Sequence, residues 1–279
     1  MQMLFFLCGM LTVAFVGCIT LYLVVKGIPA ILSIGPVDFL TGIIWKPVEA
    51  EPEFGILPFI LTSIYGTAGA VLCGVPIGLV TAVFLAKAAP PKLALIIRTA
   101  VQLLAGIPSV VYGLTGMIVL VPWIRKTFEL PSGATLLAAI VVLTIMILPS
   151  IISVAEASLQ AVPREYEEGS LALGATELET YWRVTVPAAK QGILTAVVLG
   201  IGRAIGEAMA ILMVAGNVAN LPELFSPVRF LTTALAAEMS YAAVGSLHRE
   251  ALFSIGLVLF LFIVMLNILL RMSARAEED

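Results

Sequence analysis

The sequence is poor in charged and metal-binding side chains. Only 12% of its 279 residues are charged, it has one histidine, His248, and its three cysteines lie inside apolar runs (Cys8, Cys18 and Cys73). One histidine leaves almost no material for histidine-based metal chemistry. The cysteines are expected to be small buried apolar side chains rather than a disulfide framework. Because there is also no basic patch, we predict neither a metal site nor nucleic-acid binding.

The chain also lacks a nucleotide-binding signature. A phosphate-binding loop needs G-x-x-x-x-G-K-[ST], because its backbone N–H groups cradle the phosphates and its hydroxyl holds magnesium; no such string occurs. The glycines of GIGRAIG at 200–206 have the wrong spacing for a dinucleotide site, whereas Gly202 and Gly206 fit a helix-packing groove. We therefore expect no cofactor in this chain and no catalysis by it.

Long apolar runs are abundant. The sequence is 61% hydrophobic with a mean hydropathy of +1.11, and a helix needs roughly 20 apolar residues to cross a bilayer. These values predict an all-α polytopic protein of the lipid bilayer with about six transmembrane helices. The first run is too long for the apolar region of a signal peptide, so we expect a retained span. The predicted spans are 4–25, 58–86, 95–123, 135–155, 190–216 and 251–271.

Two connections between the predicted spans are longer than an ordinary loop. Residues 26–57 and 217–250 are both expected on the outer side, and the second should hold a short helix at or dipping into that surface. Glu238 and His248 are interpreted as surface residues of this second loop. The predicted domains are an N-terminal helix with its outer loop, residues 1–57, and a transmembrane domain, residues 58–279.

The charge-rich segment 163–187, called the lever below, stands apart from the apolar background. It contains EGSLALGATELETYWRVTVP, in which a glutamate and two small residues precede a glycine, and aliphatic-x-aliphatic-Pro ends the string. Gly174 permits a sharp turn between two short helices, and Pro187 suits the first turn of the next span. A rigid bent segment between two spans could dock into a soluble partner; the alternative is an acidic loop that only solvates the surface. The docking prediction rests on Glu168, Gly169, Ser170, Gly174, Ala175 and Pro187.

Two charged side chains are predicted in the middle of the fifth span. About 20 Å of helix separates Arg203 from Lys190, and Glu207 follows four residues later, which would place both charges on one helix face. A charge at that depth is costly unless it is paired or hydrated. Because an arginine fork matches phosphate or sulfate oxygens, we interpret Arg203 and Glu207 as part of a substrate pathway. The alternative is a structural ion pair that holds two helices together.

A second candidate for the pathway follows Pro108. This proline frees a backbone carbonyl, and Ser109 and Tyr112 offer hydroxyl groups inside the membrane. They could line the substrate pathway. A kinked packing helix with a satisfied tyrosine explains the same residues equally well.

Five strings that cover nearly the whole chain carry a family resemblance: FGILPFILTSIYGT (54–67), QLLAGIPSVVYGLTG (102–116), EGSLALGATELE (168–179), GIGRAIGEAMAILMVAGN (200–217) and SPVRFLTTALAAEM (226–239). In this order they resemble the permeases of phosphate ABC importers of the PstC type. The lever resembles the EAA loop, with which such permeases dock into their ATP-hydrolysing subunits. Ala208 stands where the family usually has threonine, so a hydroxyl group is missing beside the expected pathway.

The resemblance implies a type I importer permease of the MetI-like fold that moves inorganic phosphate, with Arg203 and Glu207 implicated in its passage. The implied partners are a PstA-like sister permease, a PstB-like ATPase dimer and a PstS-like periplasmic phosphate-binding protein. The protein is then expected in the bacterial inner membrane, with the lever and both termini in the cytoplasm. The alternatives are the same machine carrying sulfate, molybdate or phosphonate, or a secondary transporter. A secondary transporter is disfavoured because we find no inverted repeat and no ion-binding carboxylates in broken helices.

Overall fold

The computed structural model describes residues 2–275, and the side chains of residues 3–268. Helices dominate the described chain, as predicted, and a small antiparallel hairpin pairs β1 (Trp45–Lys46) with β2 (Glu53–Phe54). Three π-helical turns interrupt the helices at Phe84–Ala88, Gly116–Leu120 and Tyr181–Thr185. The α-helices are α1 (Gln2–Ile34), α2 (Pro36–Thr41), α3 (Leu57–Val83), α4 (Pro91–Gly106), α5 (Ser109–Thr115), α6 (Val121–Thr127), α7 (Leu136–Gln160), α8 (Arg164–Ala172), α9 (Glu177–Thr180), α10 (Val186–Ala188), α11 (Lys190–Gly206), α12 (Met209–Val214), α13 (Leu231–Glu238) and α14 (Leu247–Arg275).

Four of the described helices are long and apolar enough to cross a membrane, and two bent helix pairs raise the number to as many as six. This agrees with the prediction of about six spans, but two of the predicted spans are not straight. The predicted span 95–123 bends by 97° between α4 and the helix that starts at Ser109. Pro108 is the physical cause, because its ring disfavours helical geometry at the preceding residue, and Ile107 is indeed extended, with ψ 127°.

The predicted span 190–216 is also interrupted. Helix α11 ends at Gly206, Glu207 is extended with ψ 127°, and the helix resumes as α12 at Met209. A 73° bend also separates α11 from the helix that precedes it. Since α11 has 17 residues, it is about 25 Å long, and the break at Glu207 lies within the apolar thickness of a bilayer.

The main core is formed where α3, α7 and α11 cross. Gly74 and Gly78 of α3 contact Ile147 and Ile151 of α7, and a Cβ at Gly78 would lie 2.7 Å from Ile151. Gly200 of α11 contacts the same isoleucines from the other side. In a bilayer the hydrophobic effect does not drive helices together, because the lipid is as apolar as the side chains. Small residues stabilise the contact instead, because they let the helix backbones pack closely. The glycines of these spans therefore position α11, which carries Arg203.

Gly202 and Gly206 do not act in this way. A Cβ added at either position would meet no atom within 4 Å among the described residues. The prediction that they form a helix-packing groove is therefore wrong within this chain. The three cysteines are likewise exposed on their helices, not buried as predicted, because apolar residues that face outward from a membrane protein contact lipid or other subunits.

The helix bundle has two ends, which we call the lever end and the far end. The lever end carries residues 161–189, and the far end carries the hairpin, α13 and the start of α14. Helix α1 runs antiparallel to α14, since Leu23 contacts Gly256 and Gly27 contacts Ser254. Near the far end, Ser254 Oγ donates a hydrogen bond to the Gly27 carbonyl at 2.6 Å. Helix α13 confirms the short helix that was expected within residues 217–250.

Glu238 and His248 at the far end are buried, which corrects their prediction as surface residues. They are 3% and 7% exposed. The Glu238 carboxylate accepts hydrogen bonds from Trp45 Nε1 at 3.0 and 3.2 Å and from Arg229, and it lies 2.8 Å from His248 Nε2. Because a buried carboxylate needs such partners, this network fixes the hairpin, α13 and α14 to one another.

Candidate functional site: a broken helix and a lever

The break after α11 positions Arg203 and Glu207 differently from the prediction. Arg203 lies half-buried in the last turn of α11, but Glu207 lies beyond the helix end, so the two do not share a helix face. Glu207 Oε1 accepts a hydrogen bond from the backbone N–H of Ala210 at 3.0 Å, and its carbonyl accepts one from Thr232 Oγ1 at 2.7 Å. The carboxylate therefore caps the start of α12 instead of pairing with Arg203.

Arg203 has no ion-pair partner among the described side chains. Across the described side chains, its guanidinium makes no hydrogen bond and no ion pair. A structural ion pair with Glu207, the alternative raised by the sequence, is therefore not formed. An unpaired guanidinium at membrane depth is stable only where water or an anion reaches it. The geometry thus supplies a positive site without a built-in anion.

Ser109 and Tyr112 lie next to this break. Helix α5 packs against α12 so closely that a Cβ at Gly113 would lie 2.8 Å from the Ala210 Cα, and Tyr112 lies near the Arg203 guanidinium. The Tyr112 hydroxyl donates a hydrogen bond to the Leu104 carbonyl at 2.7 Å across the Pro108 bend. Tyr112 therefore stabilises the bend, as the packing alternative expected. A pathway role for it and for half-exposed Ser109 stays a prediction.

Thr232 is a residue of the site that the sequence analysis missed. It is buried on α13, and its hydroxyl fixes the Glu207 carbonyl, which the break leaves without a helical partner. A lone threonine in a helical string gives no signal of this contact, because the two residues are distant in sequence. Helix α13 thereby links the break to the buried Glu238 network at its other end.

The lever folds as predicted into short helices joined at Gly174. Gly174 has φ +88°, a conformation that only glycine adopts without strain. Ser170 and Thr180 join the two arms through their hydroxyl oxygens, 2.9 Å apart. Thr176 and Glu179 form a capping box at the start of α9. Hydrogen bonds from the backbone N–H and hydroxyl of Thr176 hold the pKa of the Glu179 carboxyl below its ordinary value.

Pro187 occupies a different position from the one expected. It lies in α10, the last turn of the lever, and the 73° bend follows before α11 begins at Lys190. It therefore ends the lever instead of opening the next span. Glu168 and Gly169 are exposed on the lever, and Ala175 is half-buried.

The lever presents apolar side chains to solvent. Leu173 and Leu178 are 91% and 66% exposed, and Leu171, Tyr166 and Trp182 are also exposed. Exposed apolar groups clustered on a polar segment are typical of a protein-binding surface. No group of three or more metal-binding side chains occurs among the residues with described placement.

The chain is similar to one protein family and to several named permeases. Residues 74–278 match the family model described as binding-protein-dependent transport system inner membrane component. The chain is 41% identical to the probable ABC transporter permease protein YqgH of Bacillus subtilis, covering 94% of this chain and 87% of that protein. It is 38% identical to the phosphate transport system permease protein PstC of Haemophilus influenzae, over 84% of this chain and 80% of that protein.

Solved structures with the same fold come from ABC transporters. One comes from the inward-facing MetNI methionine ABC transporter, with a TM-score of 0.63 at 21% identity, covering 79% of this chain and 95% of that chain. Another comes from an amino acid ABC transporter, with a TM-score of 0.57 at 21% identity, covering 79% of this chain and 92% of that one. At this identity the likeness shows the fold alone, and it confirms the predicted MetI-like architecture.

Proposed function

Because the chain belongs to the binding-protein-dependent transport inner-membrane components, and within them to permeases of the PstC type, we propose that it is the permease subunit of an ATP-driven phosphate importer. The single observation that carries the proposal is the similarity to curated PstC permeases over more than four fifths of the chain. The unpaired Arg203 at the break of a multi-pass inner-membrane protein supports the same function. A guanidinium offers a planar fork of donors that fits an oxyanion.

Arg203 is proposed as a transient anion site near the midplane. The Glu207 carboxylate accepts a hydrogen bond from the Ala210 N–H at 3.0 Å. Its negative charge therefore stays near Arg203 without neutralising the guanidinium. A nearby carboxylate weakens anion binding, so that phosphate can leave again. Ser109 and Tyr112 would line the same passage. The cofactors of the cycle, ATP and magnesium, would bind to the partner ATPase.

The lever is proposed to dock into that ATPase, through Glu168, Gly169 and Ser170 at one arm and the turn at Gly174 and Ala175. The exposed leucines of the lever support this role. Docking would place the lever end in the cytoplasm, and because α1 and α14 are antiparallel, both termini would lie there too. A sister permease of the PstA type and a periplasmic PstS-like phosphate-binding protein would complete the complex.

The cargo is tested by uptake of radiolabelled phosphate into proteoliposomes that contain the complex with its binding protein. We expect uptake that requires ATP inside the vesicle and resists an excess of sulfate, molybdate or phosphonate. Displacement of the label by one of these anions would replace phosphate as the cargo. Uptake without ATP would favour a secondary transporter.

The docking site is tested by cysteine cross-linking to the ATPase subunit. We expect Leu173→Cys to form a cross-link with that subunit in membranes. The matched control is Leu72→Cys, which is 75% exposed in the middle of α3 and should form none. A cross-link from Leu72→Cys and none from Leu173→Cys would overturn the proposed docking surface.

A further inference from the structure

The lever is attached to the rest of the chain by a shielded ion pair. Lys87 Nζ lies 2.5 Å from Glu167 Oε1, and the two side chains are only 12% and 19% exposed. Glu167 belongs to α8 of the lever, and Lys87 belongs to the π-helical turn Phe84–Ala88 that ends the second span. This pair differs from Lys46–Glu49 at the far end, whose side chains are 49% and 56% exposed. Shielding from water preserves the attraction that solvent screens at exposed pairs.

The second arm of the lever contacts both members of this ion pair, Lys87 and Glu167. The Tyr181 hydroxyl donates a hydrogen bond to the Lys87 carbonyl at 3.3 Å, and Thr185 Oγ1 donates one to Glu167 Oε1 at 3.2 Å. Tyr181 and Thr185 are the first and last residues of the third π-helical turn. Both arms of the lever therefore converge on Lys87, through its side chain and its backbone.

The π-helical turn Phe84–Ala88 is also fixed to α4, the first part of the third predicted span. Arg98 of α4 donates from Nη2 to the Leu85 carbonyl at 3.1 Å, and its Nε donates to the Glu156 carboxylate of α7 at 2.6 Å. Carbonyls in the last turn of a helix lack an intrahelical partner, and Arg98 supplies one. From Arg98, helix α4 leads to the bend at Pro108, beyond which α5 packs against α12 beside Arg203.

We propose that Lys87 is the residue through which movement of the lever reaches the anion pathway, with Arg98 as the second contact of this relay. In this role Lys87 touches neither the ATPase nor the anion; it is a positioning residue that keeps the π-helical turn moving with the lever. The π turn suits the task, because such turns have poorer hydrogen-bond geometry than an α-helix and are frequent at functional sites. The inference rests on the proposed function of the chain as an importer permease.

The test is a charge-swap cycle on the complete importer in proteoliposomes, with phosphate uptake and ATP hydrolysis measured together. Lys87→Glu and Glu167→Lys should each lower the phosphate moved per ATP by about tenfold, while the complex still assembles and hydrolyses ATP. The double swap should recover most of this ratio, because the pair is restored with reversed polarity. Lys87→Arg should transport normally, and the matched swap of exposed Lys46 and Glu49 should change nothing.

The milder variants Lys87→Gln and Glu167→Gln keep the test decisive if the charge reversals fail to assemble. We expect each to lower the ratio several-fold with ATP hydrolysis retained. A wild-type ratio in both glutamine variants would overturn the relay, as would a double swap no better than the two single changes combined. Failure of the proposed function gives a different result, because the wild-type complex would then take up no phosphate. In that case the amount of anion moved per ATP is measured with the anion that the wild-type complex does transport.

Discussion

Truncation of the buried carboxylate at the far end should destabilise the protein strongly. Glu238 is 3% exposed and serves as acceptor for Trp45, Arg229 and His248. The change Glu238→Ala leaves a mostly buried guanidinium at Arg229 without its carboxylate. Removing one partner of a buried ion pair costs about 3–5 kcal/mol. For a chain of this size that free energy corresponds to a fall in Tm of roughly 6–15 °C.

The assay is thermal unfolding of the purified protein in detergent at a fixed scan rate, because membrane proteins commonly unfold irreversibly. The matched control is Glu49→Ala, which removes an exposed ion pair and should cost less than about 1 kcal/mol. Changing Glu238 and Arg229 together to methionine should recover part of the loss, since no charge is left buried alone. A fall for Glu238→Ala no larger than that of Glu49→Ala would refute the reasoning.

Substitutions at Gly113, Gly174 and Thr176 are each expected to lower the stability of the protein. Gly113→Ala should lower the free energy of unfolding by about 1–3 kcal/mol, because its Cβ would lie 2.8 Å from the Ala210 backbone. The control Gly17→Ala, whose Cβ would meet nothing within 4 Å, should not lower Tm. Gly174→Val should cost about 1–2 kcal/mol at φ +88° and reduce phosphate moved per ATP; normal coupling would count against the lever. Thr176→Ala should cost about 1 kcal/mol through loss of the capping box, and hydrogen exchange at α9 would detect it.

The lever could be read from sequence because local chemistry determines it. The glycine at the turn, Gly174, permits a conformation that depends on neighbouring residues alone. The number of spans followed for the same reason, since each depends on the composition of one apolar run. These predictions needed no knowledge of which helices touch.

The break at Glu207 could not be read in this way. No proline marks it, and the Glu207 carbonyl is satisfied by Thr232, a residue 25 positions away. The burial of Glu238 likewise depends on Trp45, which is 193 positions distant. Propensity and periodicity carry no information about such contacts, because tertiary packing decides them. Only the three-dimensional structure showed that Glu207 caps α12 instead of sharing a helix face with Arg203.

The most direct measurement of the central claim is ATP-dependent uptake of labelled phosphate by the complete importer carrying Arg203→Ala. The account predicts that uptake falls to background while the complex assembles and hydrolyses ATP, and that Arg125→Ala, an exposed arginine outside the site, transports like the wild type. Phosphate uptake at the wild-type rate by the Arg203→Ala complex would contradict an anion site at this position.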